Sequence, residues 1–98
     1  MLTQIEIREA VRTVATKYNI DRVYLFGSYA RGDATEESDF DLRIVGGDIR
    51  GLFQLSGLFL DFEEALGKPV DVIMTDSMTK TFYELIKEEE ALIYAKVC

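Results

Sequence analysis

The chain has 98 residues, 48% of them apolar and 30% charged, with a formal net charge of −7, one cysteine and no histidine. That length and balance fit one ordinary globular domain, residues 1–98, and the missing histidine leaves any catalysis to carboxylates, hydroxyls, lysine, arginine or a hard metal. The acid excess opposes binding of a long nucleic acid. No apolar run approaches the roughly 20 residues of a bilayer span, MLTQIEIREA lacks a signal-peptide pattern, and the lone Cys98 permits no internal disulfide, so a cytoplasmic protein engaging no membrane is expected.

Thr3 opens a T-x-x-E capping box with Glu6, and Leu2 and Ile7 stand where a hydrophobic staple closes the same helix start. The spacing of Ile7, Ala10, Val11, Val14, Ala15 and Tyr18 predicts a one-sided helix from about residue 4 to Asn19. Val23 to Phe26, apolar and rich in β formers, reads as a buried strand that stops at Gly27-Ser28. Residues 29 to 38 are polar and small, which predicts a short helical turn and a loop. Phe40 to Val45 resumes as a strand, making with the first a hairpin whose connection is too long for a simple turn.

From Ile49 to Leu66, the stripe Leu52, Leu55, Phe59, Phe62 and Leu66 predicts a second long helix closed by Gly67. Beyond Pro69, Val70 to Met74 reads as a third strand with Asp71 as its single carboxylate. A last helix is expected from Ser77 or Thr79 to Glu90, with Phe82, Leu85 and Ile86 inward and Lys87 to Glu90 as a solvated charge run. An apolar tail, Ala91 to Tyr94, follows. This order predicts an α+β fold, a mixed α/β sandwich of helices on a small sheet.

Two segments carry the chemistry: Gly27-Ser28-Tyr29-Ala30-Arg31-Gly32 and Ser38-Asp39-Phe40-Asp41-Leu42. A glycine directly after a strand lets backbone approach a phosphate, and the serine hydroxyl and following N–H groups can donate to its oxygens. Taken alone, Gly-Ser there is also what a plain turn looks like. Asp39 and Asp41 flank one strand residue, so both carboxylates share a face, where they either lie on a solvated edge or hold a cation such as Mg²⁺ between them. Asp71, centred in an apolar strand, must be solvated or paired. If the third strand lies beside the second, three carboxylates converge and can hold two metals about 4 Å apart, as in-line nucleotidyl displacement requires.

Jointly these segments, with the later Asp71 in Val-Asp-Val-Ile, resemble the nucleotidyltransferase fold of the DNA polymerase beta superfamily, and more narrowly its minimal nucleotidyltransferases. Proteins of that group are often antitoxins, MntA-type, encoded beside a HEPN-domain toxin. The resemblance covers Val23 to Tyr94 and implies a role for each matching residue. Gly27 and Ser28 would bind the β and γ phosphates of ATP, while Asp39 and Asp41 would hold two Mg²⁺ ions, for which Mn²⁺ can substitute. Asp71 would ligate the ion that activates the acceptor hydroxyl, serving as or near the general base. Arg31 would either contact phosphate or form a salt bridge to the acidic loop.

The larger relatives add whole domains to hold the acceptor, for which this chain has no room. The resemblance therefore implies AMP transfer to a hydroxyl of a partner protein, a HEPN-family toxin silenced by the modification. The alternative is an antitoxin that neutralises its partner by contact, without catalysis.

Overall fold

The capping box predicted at Thr3 forms: its hydroxyl accepts from the Glu6 N–H at 3.2 Å, and the Glu6 carboxylate accepts from the Thr3 N–H at 3.0 Å. It starts α1 (Gln4–Lys17), which Tyr18 ends as C-cap. The computed structural model describes residues 3–75 and 78–96; Leu2 of the expected staple, Ser77 and Cys98 lie outside them. After α1 the chain runs through β1 (Arg22–Phe26), α2 (Ser28–Arg31), β2 (Phe40–Val45), α3 (Gly51–Leu66), β3 (Val70–Met74), α4 (Lys80–Ile86) and β4 (Ala91–Ala95).

The four strands form one mixed sheet in the order β3-β2-β1-β4. β1 pairs antiparallel with β2 and with β4, whereas β2 and β3 run parallel with Asp41 opposite Asp71. One sheet face carries Val23, Leu25, Phe40, Leu42 and Ile44, all essentially inaccessible, and joins Ile7, Val11 and Val14 of α1 and Leu58 and Phe62 of α3 in a single core. Tyr18 donates to Asp61 at 2.7 Å and Lys17 to the same carboxylate at 2.9 Å, which ties the two long helices together. α4 covers part of the opposite face, with Phe82 edge-on to Phe26. The expected α+β class with a small sheet is the architecture observed.

Several local expectations differ. The buried stripe of α3 is Leu58, Phe62 and Leu66, with Leu55 and Phe59 half-buried; Leu52 is 80% exposed, because the first turn of the helix lies outside the core cluster. The final helix stops at Ile86 and leaves Leu85 exposed. The apolar tail is β4, whose pairing with β1 brings together residues about seventy positions apart and leaves no local signature. Glu90, the last member of the supposed solvated run, enters a buried ion pair with Arg43.

Candidate active site

β1 delivers Gly27 to the end of the sheet, where the chain turns abruptly into α2. Gly27 has φ 74° and ψ −151°, a conformation essentially reserved to glycine, and a Cβ built there would fall on the Asp41 carboxylate. The turn is held by the Arg31 and Gly32 N–H groups, which donate to the Gly27 and Ser28 carbonyls at 3.0 Å each. The Ser28 side chain is half-buried and makes no hydrogen bond to another described residue.

Asp41 projects from β2 onto the face away from the core, next to Gly27, and Asp71 occupies the neighbouring position on β3. Burial raises the Asp41 carboxyl above its ordinary range, and the charge of Asp71, hydrogen bonding to it and the charge of Asp39 add to that shift; Arg31 opposes it. Asp39 is exposed just before β2. The sheet thus brings Asp41 and Asp71 together with Asp39 at the rim, and among the described residues no three carboxylates are already gathered as a closed cation cage. Neighbouring acidic side chains to which no cationic side chain is bonded among the described residues fit a hard divalent ion, which takes one or two carboxylates and completes its shell with phosphate and water.

Arg31 lies outside this cluster. Its guanidinium bonds Asp33 at 3.3 Å and Glu89 at 3.4 Å, so the salt-bridge alternative is the one the geometry displays. Three residues to which the sequence assigned no individual role, Lys68, Ser38 and Tyr29, shape the site. Lys68 donates to the carbonyls of Thr35, Glu36 and Ser38, while the Ser38 hydroxyl accepts from the Thr35 N–H at 2.9 Å. Together they fasten the loop that presents Asp39; only the lysine's place between Gly67 and Pro69 hinted at a fixed neighbourhood. Tyr29 stacks on Phe40 with ring centres 4.0 Å apart, and its hydroxyl is buried without a hydrogen-bond partner among the described residues. That ring anchors α2 to the core.

Residues 9–97 match the family described as "Polymerase beta, Nucleotidyltransferase". The chain is 34% identical to a protein of Methanocaldococcus jannaschii described as "Putative protein adenylyltransferase", over 86% of this chain and 90% of that one. It is 29% identical to "Protein adenylyltransferase MntA" of Thermococcus cleftensis, over 91% of this chain and 94% of that one. In fold it is similar to a chain in the structure of the tri-AMPylated Shewanella oneidensis HEPN toxin in complex with MNT antitoxin. That likeness has a TM-score of 0.73 at 17% identity, covering 96% of this chain and 74% of that one.

Proposed function

The chain belongs to the polymerase beta nucleotidyltransferase family, and we propose that it transfers AMP from ATP to a hydroxyl of a partner protein, a HEPN-family toxin that is silenced by the modification. The observation that carries this reading is the register of Asp41 against Asp71 beside the Cβ-free turn at Gly27. A pure binding surface needs neither the glycine-only turn nor crowded carboxylates. The protein acceptor follows the adenylyltransferases to which the chain is similar along most of its length. A HEPN toxin follows the motif resemblance and the fold shared with the MNT antitoxin complex.

In this reading Gly27 lets the backbone lie against the β and γ phosphates, and the Ser28 hydroxyl donates to one of their oxygens. Asp39, Asp41 and Asp71 would hold Mg²⁺. Such an ion, when bound, would supply charge neutralisation on the triphosphate and a lowered pKa for the attacking hydroxyl. The acceptor oxygen forms a bond to the α phosphorus as the bond to the β-phosphate oxygen breaks, pyrophosphate leaves, and the hydroxyl proton passes to the Asp71 side of the site.

The test is to incubate the protein and Mg-ATP with the product of the adjacent gene and weigh the intact partner. Addition of one or more AMP units, lost with EDTA and restored by Mg²⁺ or Mn²⁺, is the expected outcome. A partner that is inhibited but unmodified selects the contact-only antitoxin instead.

ATP binding supplies an independent check. Ser28→Ala removes one hydrogen bond to a charged oxygen, worth about 1.5–3 kcal/mol, and should weaken ATP by roughly 10- to 150-fold. Gly27→Val should abolish measurable binding, since its side chain meets Asp41 and its φ disfavours any β-branched residue. Calorimetry on variants shown to be folded by circular dichroism decides it; an unchanged affinity for Gly27→Val removes the phosphate cradle.

A further inference from the structure

We propose that the acceptor protein is held as an extended segment added to the outer edge of β3, with a hydroxyl-bearing side chain of that segment beside Asp71. This rests on the reading of the chain as a protein-modifying nucleotidyltransferase. β3 is an edge strand, paired with β2 and with no other strand among the described residues. The Phe40 N–H donates to the Pro69 carbonyl at 3.2 Å, and the register sets Phe40 opposite Val70. In an evenly spaced parallel ladder these facts give the odd-numbered residues of β3 to the bonds with β2 and turn the N–H and C=O of Val70, Val72 and Met74 outward. The Glu63 carboxylate takes the Val70 N–H at 3.4 Å. Val72 and Met74 therefore face outward as a row that another strand can pair with.

The two sheet edges differ in how they are guarded. β4 carries a register shift at Ile93, which discourages pairing. Between Val70 and Met74 there is no lysine, no proline and no register shift. The one charge, Asp71, stands opposite Asp41 in the register and so shares its sheet face.

A residue opposite Asp71 in an added strand points its side chain to the same face, with Cβ atoms about 4.5–5.5 Å apart. A Ser, Thr or Tyr hydroxyl at that position reaches the carboxylate pair. The residue two positions along meets Ile73, which is half-buried on the same face, so an apolar side chain is favoured there. Backbone pairing supplies the grip, and so a domain dedicated to the acceptor is not required.

Val72→Pro is the direct probe. Because the Val72 N–H faces outward, proline removes no bond to β2 and sits where edge strands tolerate it, yet it deletes a donor and obstructs an added strand. ATP affinity should stay within about twofold of the parent while AMP transfer to the adjacent gene's product falls about tenfold or more. A second measurement does not depend on that variant folding. It uses a peptide of about ten residues copying the modified segment, N-methylated at one backbone amide at a time. Transfer should fall and recover with a period of two residues along the peptide. Unchanged transfer by folded Val72→Pro, equal loss at every methylated position, or a peptide left unmodified in every form while the intact partner is modified overturns the edge proposal. A parent protein that binds Mg-ATP yet modifies neither peptide nor partner overturns the nucleotidyltransferase reading beneath it.

Discussion

Asp41→Asn is expected to lower AMP transfer by more than about 100-fold, since even residues one shell removed from a metal typically change affinity or activity by 10- to 100-fold. The same variant should be at least as stable as the parent at neutral pH when metal is absent. Burial and the charges of Asp71 and Asp39 raise the Asp41 carboxyl, so the folded chain binds that proton more tightly than the unfolded chain. The group thus costs nothing below its unfolded value near pH 4; its penalty grows as pH rises through the raised folded value and is complete above it. Asparagine carries no charge at any pH. In EDTA, urea unfolding should show variant and parent converging near pH 4 and the variant gaining toward pH 7. Asp39→Asn should also lose transfer, but gain less stability because Asp39 is exposed. A folded Asp41→Asn protein with parental transfer removes these carboxylates from the reacting centre.

That combination of lost activity and retained stability is how a site differs from a core, and it explains what could be read in the sequence. Gly27, Ser28, Asp39, Asp41 and Asp71 stand out because each breaks the local rule of its element: a glycine and a serine ending an apolar strand, acids inside β-branched runs. Seven of the eight elements, the long helices and first three strands above all, follow from local pattern and caps. What local pattern cannot encode is which distant elements meet. β4 is a strand because β1 offers it a partner, and Leu52 is exposed because the first turn of α3 lies outside the core cluster. Lys68 fastens the Asp39 loop through backbone carbonyls, a contact that leaves no trace in residue type. Glu90 looked like part of a solvated run, and Arg43 like one polar residue in a strand. Their meeting across 47 residues of chain was invisible until the fold placed them together.

Glu90→Ala is expected to destabilise the protein by about 3–5 kcal/mol, because it leaves the Arg43 guanidinium buried with no counter-charge. Arg43 is 5% exposed in β2, an interior strand, and donates to both Glu90 carboxylate oxygens, at 2.8 and 2.7 Å. It also donates to the Thr75 hydroxyl at 3.0 Å and lies between the rings of Tyr24 and Tyr83, with centroids at 4.2 and 5.1 Å. The pair therefore clamps α4 and the segment leading into β4 onto the sheet face that also bears Asp41. In a domain of this size each kcal/mol corresponds to about 4–8 °C in Tm, so the loss should exceed roughly 12 °C. Replacing both partners by apolar residues, Arg43→Met with Glu90→Leu, should restore most of that loss, since the penalty lies in the unpaired charge rather than in the absence of the bridge. Urea unfolding of the parent, the single variants and the double variant measures the coupling directly. A Glu90→Ala protein within about 1 kcal/mol of the parent would mean that water reaches Arg43, and that α4 is held by Phe82 against Phe26 rather than by the ion pair.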